Sequence, residues 1–243
     1  CRSAVLTAHV AVVVATTRSL KYNGGAERTA VHEPDIDALQ RGLCNLQAHI
    51  DTLRNVFHVP VIVAINAFSH DRGDELACMV AAAGRHGAQA VIARAAQHGG
   101  EGCRDLAAAV LDAVANQPPA SGFCYPLDIP VAQKIERVAK RIYGAASITL
   151  SARAQEKLNA LDALDAHAWP VCIAKTQYSF SQDPKLLGHP TGHEFHVRDI
   201  EIRAGARLLV VIAGTMLLMP GLPKRPASAG MTISDEGEIA GLF

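Results

Sequence analysis

Lys21 with Asn23, Asn66 with Phe68, and Lys175 with Thr176 and Gln177 are the residues whose types and places suit chemistry on an anionic, ring-bearing ligand. An ammonium group neutralises phosphate, an amide both donates to and accepts from an adenine edge, and a loop aromatic stacks on a flat ring. Each group directly follows an apolar run. Val10 to Ala15 stops at Thr16, Thr17, Arg18, Lys21, Asn23 and a Gly24-Gly25 pair; Val61–Ile65 ends at Asn66; Val171–Ala174 runs into Lys175. In an open parallel sheet the loops after the strand C-termini share one edge and form a ligand crevice. Thr16–Gly25, Asn66–Gly73 and Ala96–Gly102 are three such polar, glycine-containing loops, which sets Lys21, Asn66 and Gln97 around one crevice. A competing reading stays open at each point. Loops are polar because they are solvated, Asn favours turns for its own reasons, and the Lys175 cluster could equally bind another domain.

The elements that would hold these groups follow from periodicity. Val10 to Ala15 reads as a strand buried on both faces. Between Pro34 and Val56, apolar residues at Ile36, Leu39, Leu43, Leu46, Ile50 and Leu53 step by three and four, predicting an amphipathic helix with Pro34 in its first turn. Strands at Val61–Ile65 and Gln89–Ala93 alternate with helices at about Asp74–Arg85 and Arg104–Ala115. This alternation implies a parallel sheet with helices on both faces. Pro118 to Gly122 breaks the rhythm and predicts a boundary, with one domain over 1–119 and a smaller α+β domain over 120–243. There, helices are expected at Val131–Ile142 and Ala152–Leu164, and strands of a mixed sheet at Val171–Ala174, Phe195–Ile202 and Leu208–Ala213. Arg198 and Asp199 read as a structural ion pair, and MPGLPKRP as a rigid loop.

Composition narrows the function class. Lys plus Arg and Asp plus Glu are 23 each over 243 residues, so no net charge points to nucleic acid or a membrane surface. An apolar fraction of 49% with few aromatics fits an Ala- and Val-rich α/β protein, and no apolar run reaches the roughly 20 residues of a spanning helix. Six cysteines lie far apart without CxxC spacing, and eleven histidines form no HxxxH pair. They read as buried free thiols in a reducing compartment, with no metal cage.

The run VAVVVATTRSLKYNGG resembles a signature of the formate–tetrahydrofolate ligases, and so do the blocks VPVIVAINAFSHDRGDEL, YPLD, KIERVAKRIYGA, PVCIAKTQYSFSQDPKLLG, MPGLPKRPA and GEIAGLF. The resemblance implies a P-loop NTPase-like parallel sheet, a cytoplasmic enzyme of one-carbon metabolism, and ATP with Mg²⁺ and tetrahydrofolate as substrates. A monovalent cation would act through the part of the family chain that is missing. It also implies small-molecule partners, no nucleic acid or membrane, and a homo-oligomer when intact. Residue by residue, it implies that Asn66 and Asn23 contact ATP, and that Phe68, Ser69, Ile92 and Ala96 form the folate wall. Lys21 and Lys175 would be the candidate catalytic cations. The family carries a GxxxxGK[ST] loop near its N-terminus; this chain has none and begins CRSAV without Met, so it reads as a C-terminal portion whose isolated form would be inactive. The sequence departs from the family at Ser69 (usually Pro), at His70-Asp71-Arg72 (Thr-Asp-Thr), at Ala96 (a pterin-sandwiching Trp), and at Arg207-Leu208 (Gly before an aromatic). These departures leave room for a non-catalytic or degenerate relative, or for a ligase with another acceptor.

Overall fold

A computed structural model describes residues 6–117, 119, 122–161, 166–216, 224–235, 237 and 239–241. It is an α/β protein built on two sheets. The first is wholly parallel and ordered β1 (Ala11–Ala15), β2 (Val61–Asn66), β3 (Gln89–Ala93), with Ala15 opposite Ile65 and Ile65 opposite Ile92.

Alternation along β2 distributes two cores. Val61, Val63 and Ile65 face α1 (Thr17–Asn23), α2 (Ile36–Asn55) and α3 (Gly73–Arg85), through Leu20, Leu39, Leu46, Ile50, Leu76 and Met79. Ile62 faces the other way, onto Ala109 and Ala113 of α5 (Arg104–Asn116). Helices therefore cover both faces of β2, as the alternating pattern predicts. β1 departs from expectation: Val12 and Val14 are 41% and 67% exposed, because α5 does not extend over the edge strand. An apolar run does not report how many of its faces find a neighbour.

The helix read over Pro34–Val56 begins two residues later, at Ile36. Asp35 is its N-cap, accepting from the Ala38 N–H at 2.8 Å, which leaves Pro34 outside the helix. The stretch Thr16–Gly25, read as a loop, is mostly helix. Thr16 and Ser19 form a capping box that starts α1, and Gly24 ends it. Gly24 is there for contact rather than for a turn: a Cβ on it would lie 1.7 Å from the Ala38 carbonyl oxygen, and one on Gly42 would lie 1.8 Å from that of Leu20. The two glycines let α1 and α2 touch backbone to backbone.

The second sheet is mixed, in the order β4 (Ser147–Leu150), β6 (Glu194–Arg203), β7 (Leu208–Ala213), β5 (Val171–Ala174), with β6 and β7 antiparallel. Phe195, Val197, Leu209 and Val211 pack on Val131, Ile135 and Ala139 of α6 (Val131–Arg141) and Ala154 of α7 (Ala152–Ala160). A separate cluster of Val56, Phe57, Cys124, Tyr125 and Val171 joins the two sheets' surroundings. The Arg198–Asp199 ion pair does not form. The β6–β7 register shifts between Val197 and Asp199, and Asp199 meets Arg153 at 3.0 Å and Lys157 at 2.6 Å on α7, while Arg198 donates to the Met216 carbonyl. The described cysteines are free, but only Cys124 is buried and Cys172 is exposed on β5. Burial of thiols was thus overestimated from strand and helix placement. Most of MPGLPKRP, much of the expected boundary at 118–122 and the end of the Ala152–Leu164 helix lie outside the described residues. Among the described residues no helix is long and apolar enough to cross a membrane.

Candidate functional site

The C-terminal edge of the parallel sheet carries a built loop. Leaving β2 at the half-exposed Asn66, the chain continues its pairing through the Ala67 N–H to the Ala93 carbonyl at 2.9 Å, then turns at Phe68. Asp71 holds that turn. One carboxylate oxygen accepts from the Phe68 N–H at 2.8 Å and the other from the Thr17 hydroxyl at 2.5 Å, tying the turn to the start of α1. Gln97, on α4 (Ala95–His98), closes the other side. In the orientation that satisfies its partners, its oxygen accepts from the Ser69 N–H at 2.8 Å and its nitrogen donates to the Ala67 carbonyl at 3.3 Å.

Phe68 is half-buried. Its ring lies under the Arg18 guanidinium, 4.0 Å from the centroid, and stacks on the His70 ring at 5.9 Å. Ser69, Ala96 and Ile92 are exposed around this turn and on the strand and helix beside it. Asn66, Gln97 and the Phe68 turn therefore share one edge, as expected of loops after parallel strands.

Lys21 does not join them. It is 1% exposed, ion-paired with the equally buried Glu75 at 3.1 Å, and it donates to the Glu33 carbonyl at 2.8 Å. Glu75 in turn accepts from the Asp35 N–H at 3.0 Å. The helix that replaced the expected loop turns this ammonium inward, so Lys21 is held in a buried ion pair rather than presented at the sheet edge. Asn23 is also engaged. Its oxygen accepts from the Gly188 N–H at 3.1 Å, and its nitrogen donates to the Ser19 carbonyl at 2.9 Å. Asn45 donates to the Gly188 carbonyl at 2.9 Å, so two asparagines grip both backbone groups of one residue in the segment after β5.

A cleft of about 770 Å³ opens between α1, α2 and that segment. Arg18, Arg28, His49, Tyr143, Lys175 and Phe180 are among its lining residues. Lys175 donates to the Thr176 carbonyl at 3.1 Å and to the Ser179 carbonyl, and its Nζ lies 4.8 Å from the Tyr143 ring centroid. Burial pulls its pKa down to about 8. Burial, then the charge of Lys175 and His189, lowers the pKa of His49, whose ring packs at a tilt against Phe180, centroids 4.6 Å apart. Sequence reasoning missed Arg18 and Asp71 as site residues. The first stood in a polar string without periodicity, and the second was noted only as part of a departure from the family. Among the described residues no three His, Cys, Asp or Glu side chains converge as a metal site.

The family model described as formate–tetrahydrofolate ligase matches residues 1–243. The chain is 46% identical over 246 residues to the formate–tetrahydrofolate ligase of Psychrobacter sp. (strain PRwf-1). It is 46% identical over 247 residues to that of Allorhizobium ampelinum (strain ATCC BAA-846 / DSM 112012 / S4), and 43% over 245 to that of Nocardioides sp. (strain ATCC BAA-499 / JS614). In each case the whole chain is covered but only 43%, 44% and 44% of the relative. These shares fix how much of the relatives' length is matched, not which part, and the expectation of a C-terminal portion is set aside. The match along every residue of the chain, on top of the loop geometry, places it in the formate–tetrahydrofolate ligase family.

Proposed function

We propose that this chain contributes the folate wall and an adenine contact of an enzyme that joins formate to tetrahydrofolate with ATP. The observation that carries the proposal is the Phe68 turn, braced by Asp71 and Gln97 on the ligand-binding edge of a parallel sheet. Phe68 presents a ring to the pterin, with Ser69, Ile92 and Ala96 around it, and Asn66 offers its amide to adenine. On this reading the sheet is half of a P-loop NTPase-like domain.

The chemistry is two transfers. Formate oxygen attacks the γ-phosphorus of ATP and ADP leaves, giving formyl phosphate. The folate amine then attacks the formyl carbon, phosphate leaves with the C–O electron pair, and the amine gives up a proton. Both steps demand positioning and charge neutralisation more than covalent help from the protein. These 243 residues hold no GxxxxGK[ST] loop, whose backbone donors and lysine cradle the phosphates. Among the described residues no three His, Cys, Asp or Glu side chains converge to hold Mg²⁺.

The test is a chimera in which this chain replaces the matched part of the Psychrobacter relative. It is expected to form formyltetrahydrofolate from formate, ATP and tetrahydrofolate, whereas the 243-residue chain alone gives none. A folded chimera without product would favour a degenerate relative instead.

A further inference from the structure

We propose that Lys175 is an acylation site, its amine taking the acyl group of a small acyl phosphate drawn into the cleft between α1, α2 and the segment after β5. The described lysines are placed differently from one another. Lys21 is paired with Glu75, Lys140 with Glu136 and Lys157 with Asp199, while Lys134 is fully buried against the His167 and Trp169 carbonyls. Lys185 and Lys224 are exposed. Lys175 is the one described lysine that lines the cleft of about 770 Å³; it is half-buried there, and among the described residues no Asp or Glu lines that cleft. Its hydrogen bonds go to the carbonyls of Thr176, at 3.1 Å, and of Ser179, with the Tyr143 ring centroid 4.8 Å away. A neutral amine has two N–H bonds to give, and two carbonyls take them and leave its lone pair free; an ammonium has a third N–H, for which the ring face is the partner at hand. Burial without a carboxylate favours the neutral form and holds the pKa at about 8. A desolvated lysine of this kind is a nucleophile.

The other cations of the cleft select the acyl donor. Arg18 and Arg28 line it, and their charge favours a reagent whose leaving group is a phosphate. The step balances without a cofactor. The Nζ lone pair bonds to the acyl carbon, the bond from that carbon to the bridging oxygen breaks, and phosphate leaves with the electron pair. The nitrogen gives a proton to water, and a neutral amide stands where the amine was. Acylation thereby removes one of three cations from the cleft and weakens anion binding there. The groups around Lys175 titrate on either side of it. His49 on α2 and His193 before β6 are lowered by burial and then by the charges of Lys175 and His189, and Tyr143 after α6 is raised by burial.

The probe is acetyl phosphate, applied to the folded 243-residue chain, with mass spectrometry reading the acetylated fraction at each lysine over time. At about pH 7.5 Lys175 is expected to react at least about tenfold faster than the exposed Lys185, because far more of it is unprotonated than of a lysine titrating near 10.4. Its rate should climb to a plateau above about pH 8, whereas that of Lys185 keeps rising to about pH 10. Arg28→Gln, verified as folded by circular dichroism, should slow Lys175 about threefold and leave Lys185 unchanged, in the range of an exposed ion pair. Acetic anhydride, which carries no phosphate, should label Lys175 first with no dependence on Arg28. Equal rates at Lys175 and Lys185 with acetyl phosphate overturn the proposal. A preference for Lys175 with acetic anhydride but not with acetyl phosphate also overturns it, since the acyl phosphate is then not the donor. So does a preference that survives in urea, which would assign the reactivity to local sequence and not to the cleft.

Discussion

The Arg18 guanidinium lies 4.0 Å above the Phe68 ring centroid, joining a residue of the first helix to the turn after the central strand. Arg18 also lines the cleft, so one side chain borders both places where a ligand could sit. This gives Ala96 a testable meaning. Ala96 is exposed beside Gln97, which is hydrogen-bonded to the Phe68 turn. In the chimera, Ala96→Trp is expected to tighten tetrahydrofolate about fivefold, or about 1 kcal/mol of aromatic contact, while ATP affinity stays constant. Equal shifts in both constants would mean that the two pockets are not separate.

The buried Lys21–Glu75 pair should be sensitive to removal of one partner and tolerant of removal of both. Each is 1% exposed, and Glu75 also accepts from the Asp35 N–H. Glu75→Leu or Lys21→Met alone is expected to destabilise by about 3–5 kcal/mol, since each strands a buried charge. The double variant should recover a large part of that. Urea unfolding of the three variants measures it, and additive losses would contradict the pairing.

Lys175 sets a pH dependence. Burial holds its folded pKa at about 8, against roughly 10.4 for an unfolded chain. Between these values the unfolded state binds more protons, so stability rises with pH. His49 and His193, both lowered by burial and then by the Lys175 charge, respond at lower pH, and Tyr143 is raised by burial. The comparison is therefore wild type against Lys175→Met. Wild-type stability should gain on the variant from about pH 8 to 10, and a flat difference would mean that Lys175 titrates normally. Over the same rise in pH, the loss of its charge should weaken anion binding in the cleft.

Arg207 occupies a left-handed conformation, φ 47° and ψ 53°, at the turn into β7. A side chain there carries strain that glycine avoids, offset in part by glycine's greater freedom when unfolded. Arg207→Gly is expected to stabilise by about 0.5–1 kcal/mol, whereas Arg207→Ala should not. Thermal melts of the two variants decide it.

Much of this architecture was legible in the residues, and the misses share a cause. β3 and β7 fell on their predicted bounds because strict apolar runs flanked by turns leave few alternatives. The run at Val12–Val14 looked doubly buried, since periodicity records a preference for burial and not the presence of a neighbour. Lys21 looked like a ligand cation because a lysine in a polar string reads as solvated. Its partner Glu75 lies 54 residues away, beyond any local pattern. Asn23, expected to contact ATP, lines the cleft, yet both halves of its amide are engaged by backbone, one of them at Gly188. Edge loops and their chemistry can be read from strand order, while long-range pairing that consumes a polar group cannot.

The most direct test of the account is the dissociation constant of tetrahydrofolate for the 243-residue chain, measured by calorimetry for wild type and Phe68→Ala. If the Phe68 turn is the folate wall, the wild-type chain binds tetrahydrofolate without ATP or formate. The folded variant then binds it at least fivefold more weakly, the loss of about 1 kcal/mol or more of stacking. Equal affinities for wild type and variant would contradict it.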